Sequence, residues 1–213
     1  MSQVWDEQYK NSWDDRYEGQ GHAYGKAPNL FFKEWIQQFR PGSILMPAEG
    51  EGRNGVFAAV LGWQVTAFDL SLAGKSKALE LAEEYNVAID YMVGDLQELS
   101  FESNSFDAIG LVYAHFAAEK KAAFHKKLDS YLKPGGVILF EAFSRKHIEL
   151  NKLNPEVGGP KNIEMLYSAD EIRNDFNGYD FTVLQEMEIL LDEGKYHVGK
   201  GAVVRFVGRK PVF

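Results

Sequence analysis

Residues 44–55, Ile-Leu-Met-Pro-Ala-Glu-Gly-Glu-Gly-Arg-Asn-Gly, pass from an apolar run through a glycine-rich turn into helix-forming sequence. Gly50 and Gly52 lack a Cβ, so the turn can take φ > 0 and bring its backbone close to a ligand. The N–H groups that open the next helix can then face polar ligand atoms. A second apolar run, 64–69, ends in Asp69, 17 residues after Gly52. That is near the roughly 20-residue spacing at which a carboxylate grips ribose hydroxyls in a βαβ unit. A third run, 88–93, leads into Gly94-Asp95-Leu96. Polar residues thus fall at three strand ends along one sheet edge, an arrangement suited to a nucleotide-like ligand. Asp69 could instead cap the following helix, but Ser71 can fill that role. Gly94-Asp95 is also an ordinary turn pair.

These residues need a parallel sheet behind them. Strands are expected near 43–47, 64–69, 88–93, 106–113 and 136–142, alternating with helices near 54–61, 72–86 and 118–132, the pattern of a sheet covered on both faces. A polar, aromatic-rich segment, 1–29, precedes a helix at 30–39 that Pro41-Gly42 ends. Residues 179–191 and 200–208 are long β-rich runs joined by Asp192-Glu-Gly-Lys195 and read as an antiparallel hairpin. Between them and the sheet, 144–167 contains Asn154-Pro155 and Gly158-Gly159-Pro160, and reads as a long, functional loop at the carboxyl edge of the strands. Phe31, Phe32, Trp35 and Phe39 recur at helical spacing and are expected in the core.

Taken together, the motifs resemble those of class I S-adenosylmethionine-dependent methyltransferases over nearly the whole chain. The turn at 46–52 corresponds to the first motif, Asp69 to the acid that binds the ribose diol, and Asp95-Leu96 to the pair that contacts adenine. Residues 105–113 match the fourth strand, and Leu132-Lys-Pro-Gly-Gly136 matches the turn before the fifth. An NAD-binding Rossmann domain is the rival reading of the glycine turn alone. It usually has Gly-x-Gly-x-x-Gly and lacks the Lys-Pro-Gly-Gly turn. The resemblance implies an α/β, Rossmann-like, seven-stranded, mostly parallel sheet with a C-terminal hairpin, and a single domain over 30–213. S-adenosylmethionine is the implied cofactor, with the ligand beyond the carboxyl ends of the strands.

Family members typically read Asp-x-Gly-x-Gly-x-Gly where this chain has Met46-Pro-Ala48-Glu49-Gly50-Glu51-Gly52. Ala48 is the smallest replacement for the missing glycine and preserves the turn if its φ is negative. The missing acid leaves Glu49, earlier in the turn than Glu51, as the expected partner of the methionine ammonium; either glutamate could instead face solvent. Glu-Gly-Glu-Gly-Arg53-Asn54 is similar to the tellurite-resistance and thiopurine-type subgroup. There an Arg-Tyr pair and a Tyr-Gly-x-x-Pro-Asn stretch, here Arg16-Tyr17 and Tyr24 to Asn29, close the methionine end of the site. Arg16 would then pair with the cofactor carboxylate. Asn54, Leu70, Ser71 and Tyr113 complete the expected cofactor residues, and Ala67 and Leu70 could flank the base. The resemblance also places substrate-side residues after the fourth strand and in the closing hairpin. His115 and His197 are therefore the candidate catalytic residues, with Lys200 and Arg205 beside them as an anion-facing wall, while His115 could instead be a structural histidine bonded to a backbone carbonyl.

Composition narrows the classes. At 213 residues with 45% hydrophobic residues, the chain suits one compact α/β domain. A net charge of −8 disfavours nucleic-acid partners, because non-specific binding to phosphates needs a basic face. The absence of cysteine excludes disulfides, thiolate metal sites and a thiol nucleophile. The charged amino terminus is unlike a signal peptide, and no apolar run spans a bilayer, so a cytoplasmic enzyme is expected. With the resemblance and the basic wall above, its acceptor would be a small, soft, anionic nucleophile of thiol, tellurite or selenite type, methylated without a metal by a monomer or homodimer. A methyltransferase-like domain that binds the cofactor and acts as a regulatory or scaffolding partner is the competing reading.

Overall fold

The computed structural model describes residues 2–212. Seven strands form one sheet: β1 Ser43–Pro47, β2 Gln64–Asp69, β3 Asp90–Val93, β4 Phe106–Val112, β5 Leu132–Phe143, β6 Asp180–Glu193 and β7 His197–Arg209. Their spatial order is β3-β2-β1-β4-β5-β7-β6. The first five run parallel, and β7 lies antiparallel between β5 and β6. The sheet therefore reverses direction of growth at β1/β4, which opens a crevice beyond the carboxyl ends of those strands.

Alternation along β1 shows how both faces are covered. Leu45 joins the core that contains Phe68, Ile109, Phe140 and Phe206, while Ile44 and Met46 join Phe32, Ile36, Ala67 and Leu139 on the other side. Helices α2 Leu30–Ile36, α3 Arg53–Val60, α4 Leu72–Glu84 and α5 Lys121–Tyr131 cover these faces. Asn29 caps α2 by accepting from the Phe32 N–H at 2.9 Å, and Ser71 caps α4 through Gly74 N–H at 2.9 Å.

Several local features differ from the expectations or add to them. The segment before Leu30, read from the sequence only as polar and aromatic-rich, carries a helix, α1, Ser2–Tyr17. The loop at 144–167 holds α6 His147–Leu153 and 3-10 turns at Pro155–Val157 and Ile163–Met165; its proline and glycine cluster obscured those short helices. A further helix, α7 Ala169–Asp175, is capped by Ser168. The hairpin turn is also tighter than the sequence suggests. Asp192 pairs with Val198 and Glu193 with His197, leaving three residues, Gly194 to Tyr196, between the strands. Finally, Leu132 already pairs with Phe106, so Lys-Pro-Gly-Gly is an irregularity inside β5 rather than a turn before it.

Candidate active site

A cavity of about 1100 Å³ opens over the carboxyl ends of β1, β2 and β4, between the glycine turn, α1, the loop after α6 and the β6–β7 hairpin. Of the turn residues, Ala48, Glu49, Glu51 and Asn54 line it, whereas Gly50 and Gly52 do not. Their backbone geometry has another cause. Gly50 has φ +60° and a Cβ there would lie 2.6 Å from the Tyr17 hydroxyl; at Gly52, with φ +84°, it would lie 2.6 Å from the Ala78 Cβ. The glycines admit α1 and α4, and the turn's side chains meet the cavity.

Ala48 is itself left-handed, with φ +52°, contrary to the expected negative φ. A residue with a Cβ there stores about 1–2 kcal/mol of strain where the family's pattern has glycine. Neither glutamate faces solvent. Glu49 Oε1 accepts from the N–H groups of Asn54 and Gly55 at 2.9 and 2.6 Å, closing the amino end of α3 where Gly52 offers no side chain. Burial drives its carboxyl up to about 7, against those hydrogen bonds and the Arg53 charge. Glu51 faces the amino-terminal segment: Oε2 accepts from Ala23 N–H at 2.7 Å and Oε1 meets Lys77 Nζ at 3.2 Å.

Asp69 ends β2 on the cavity wall. Its Oδ2 accepts from Gly50 N–H and its Oδ1 from Ser71 N–H, both at 3.0 Å, so one carboxylate ties the first turn to the second. Burial pushes it up to about 6 despite these bonds. Ser71 is fully buried behind the wall and donates to Asp14 of α1. Leu70, Asp95 and Leu96 line the cavity, but Ala67 is sealed in the core. Asp95 also folds its own turn, accepting from the Gln97 N–H at 2.9 Å.

Arg16 reaches the cavity from α1. It donates to the Tyr24 hydroxyl at 2.8 Å and lies 5.0 Å over the Trp13 ring and 4.8 Å over Tyr196. The segment is fastened at several points: Lys77 donates to Gly19 and Gly21 carbonyls, Lys195 N–H to Ala23 O, and Asn29 N–H to Asn54 Oδ1.

The two histidines differ. His115 lines the cavity, yet its Nδ1 lies 3.0 Å from Met165 O, and its Nε2 accepts from Phe143 N–H at 3.2 Å. Burial lowers it to about 3, so it is neutral with both ring nitrogens bound to backbone. His197 packs against Tyr24 and Tyr113, each with centroids 4.5 Å away, and its Nδ1 lies 3.0 Å from Glu193 Oε2. Tyr113, at the end of β4, has φ +52° and donates to Glu141 at 2.9 Å. Strain of this kind in a non-glycine residue is common at binding sites. The expected basic wall is not formed. Lys200 pairs with Glu188 on an exposed surface and does not line the cavity. Arg205 is drawn into the sheet by Glu141 and covers Phe31 at 4.9 Å. Lys161, in the loop after α6, lines the cavity instead.

The sequence reading missed Glu141, Glu193 and Arg53 as a set. Glu141 is a single acid inside an otherwise apolar strand, which is a signal in itself, since a buried charge must be matched. It accepts from Asn29, Tyr113 and Arg205. Glu193 stands opposite His197 only because of the hairpin register, and it also binds Arg53 at 3.1 Å.

Residues 44–136 match the model of a methyltransferase domain. Over these residues the chain is similar to a methyltransferase domain, and its fold is shared with the solved structures below. Sterol 24-C-methyltransferase of Saccharomyces cerevisiae is 26% identical over 117 residues, 51% of this chain and 30% of that protein. The 2-methyl-6-phytyl-1,4-hydroquinone methyltransferase of Synechocystis is 30% identical over 95 residues, 45% of this chain and 30% of that protein. The chain thus aligns with about a third of these relatives' length. Among solved structures, a protein described by the conversion of a disulfide bond into a thioacetal group in echinomycin biosynthesis superposes with a TM-score of 0.75 at 20% identity, covering 95% of this chain and 92% of that one. TehB from Haemophilus influenzae gives 0.68 at 17% identity, covering 94% of this chain and 66% of that one.

S-adenosylmethionine is the cofactor of this domain class, and the cavity fits it chemically. Carboxylates with acceptor capacity to spare, Glu49 and Asp69, stand at the turn and at the end of β2, and the Arg16 cation of α1 lines the same cavity. No cluster of His, Asp or Glu that could hold a metal occurs among the described residues.

Proposed function

We propose that the protein transfers a methyl group from S-adenosylmethionine to a small-molecule acceptor. The observation that carries this reading is the Asp69 carboxylate, held at the cavity wall by the Gly50 and Ser71 N–H groups at the end of β2. In that position its remaining lone pairs suit a ribose diol. Glu49 takes the ammonium in place of the acid lost at Met46, and Arg16 takes the carboxylate. Asp95 and Leu96 meet the adenine, with Leu70 against its face, and the segment before Leu30 closes over the ligand.

The bound cofactor supplies an electrophilic sulfonium methyl. The chain's own part is to orient the acceptor in line with it and exclude water, the main sources of rate in such a displacement. Tyr113, Phe116 and Phe143 provide an apolar wall for this, and Lys161 a cation at the loop side. Glu49 and Asp69 on the cavity wall oppose free oxyanions, so the thiol member of the soft-nucleophile class fits better than tellurite or selenite.

Calorimetry with S-adenosylmethionine and its demethylated product tests the first part: micromolar binding is expected, and no binding of either at millimolar concentration overturns it. Methyl transfer to a panel of thiols, thiopurines, selenite and tellurite tests the second. Activity confined to polymeric substrates would reject a small acceptor.

A further inference from the structure

His197 and Glu193 form a pair whose geometry goes beyond positioning. The carboxylate of Glu193 is fully engaged: Oε2 meets His197 Nδ1 at 3.0 Å and Arg53 Nη2 at 3.1 Å, and Oε1 accepts from Asn29 Nδ2 at 3.0 Å. A carboxylate held by three donors accepts and does not donate, so the His197 proton resides on Nδ1 and the lone pair on Nε2. Nε2 has no hydrogen-bond partner among the described residues. It belongs to a ring that lines the cavity between Tyr113, Phe143 and Tyr24. Space for this ring is built in. Gly158, with φ +70°, passes so close that a Cβ there would lie 2.9 Å from His197 Cδ2 and 2.3 Å from Tyr196 O.

The alternative base is excluded by contrast. Both nitrogens of His115 are occupied by backbone groups, and His147 has its two nitrogens against Gly158 O and Ala202 N–H at 3.0 and 3.2 Å. Burial lowers His197 although Glu193 acts upward, so the ring is neutral and ready to accept near neutral pH.

Resting on the methyltransferase reading above, we infer that His197 is a general base, with Glu193 as its positioning residue, and that the acceptor is a weak acid that arrives protonated: a phenol, or a thiol not already ionised at neutral pH. The flat aromatic walls around the ring favour a planar acceptor. As Nε2 takes the proton, the acceptor's S–H or O–H bond breaks and its freed pair forms the bond to the methyl carbon. The sulfonium S–CH₃ bond breaks with its pair retained on sulfur. The imidazolium that results lies against Glu193, which offsets its charge. Phenols, with ordinary values near 10, need this base more than alkyl thiols near 8.5, and the more acidic thiophenols need it least.

The test uses the full chain with two graded series, phenols from 4-methylphenol to 4-nitrophenol and the matching thiophenols. In His197→Ala, transfer to the least acidic phenol should fall at least about 100-fold. The loss should shrink steadily as acidity rises, disappear for acceptors already ionised, and be partly restored by added imidazole. His197→Asn serves as the second variant in case the alanine fails to fold. Independently of activity, ¹⁵N-histidine spectra of the cofactor-free protein should show His197 protonated on Nδ1 alone, and Glu193→Gln should mix the tautomers. A uniform loss along both series, an Nε2–H tautomer, or transfer to neither series by a protein that binds S-adenosylmethionine would overturn the inference. Failure to bind S-adenosylmethionine would instead overturn the function on which it rests.

Discussion

At the scale of single residues, the first turn combines ligand chemistry with load from the fold, and variants should separate the two. Asp69→Ala removes the ribose acceptor and frees two N–H groups, so affinity for S-adenosylmethionine should fall by about 1.5–3 kcal/mol, the worth of bonds to a charged group. Calorimetry on the folded variant checks this, and unchanged affinity would remove the ribose role. Glu49 and Glu51 should diverge. Glu49→Gln should weaken cofactor binding more than Glu51→Gln, because Glu51 is committed to Ala23 and Lys77. A larger loss for Glu51→Gln reverses the assignment. Ala48 gives a stability test, since its φ of +52° is strained. Glycine would relieve about 1–2 kcal/mol while costing about 0.4–1 kcal/mol in the unfolded chain. Ala48→Gly should therefore raise the melting temperature by a few degrees, where an alanine-to-glycine change in ordinary backbone lowers it.

Among the elements, the β6–β7 hairpin does more than edge the sheet. Its turn seats the amino-terminal segment: at Gly194, with φ +64°, a Cβ would lie 2.5 Å from Gly25 N and 2.6 Å from Ala23 O. Gly194→Ala should thus dislodge residues 23–25 and, through them, Tyr24 and Arg16. The expected result is at least tenfold weaker cofactor binding with the sheet intact, read by calorimetry and circular dichroism. Wild-type affinity would mean the segment does not serve the site. This coupling also marks what was legible in the sequence. Strands β1 to β5, Asp69, the Ser71 cap and the hairpin follow from apolar runs and turn residues, which are local signals. Helix α1 did not, because its helix-forming surface is polar and its apolar contacts are aromatics facing the cavity. Glu193, Glu141 and Arg205 were missed or misplaced for a different reason. Their roles depend on which residue lies across the strand, and a register slip of one exchanges the faces. The tight three-residue turn sets that register, and the sequence suggested a longer one.

For the molecule as a whole, the cavity concentrates buried carboxylates in a chain of net charge −8, and this makes folding and binding proton-linked. In the fold, burial raises Glu49 from 4.5 to about 7 and Asp69 from 3.8 to about 6. The native state therefore holds protons that the unfolded chain releases. By linkage, these two groups make the cofactor-free protein less stable as pH rises from about 4 through 7, by an amount on the order of 3 kcal/mol each. Glu193 and Asp107 act in the opposite window. Despite burial, His197 and Arg53 hold Glu193 low, and Lys133 and Ser43 hold Asp107 low, so their contribution is lost as pH falls through the acid range. A cationic ammonium beside Glu49 favours its ionised form, so cofactor binding near pH 6 should release protons. Calorimetry in buffers of different ionisation enthalpy should show this release, and it should be smaller in Glu49→Gln. The stabilisation conferred by S-adenosylmethionine should also grow between pH 5 and pH 8 as the proton is removed in advance. Equal proton release from wild type and Glu49→Gln would place the ammonium elsewhere, and a melting temperature of the cofactor-free protein that climbs from pH 5 to pH 7 would show that these carboxylates ionise freely in the fold.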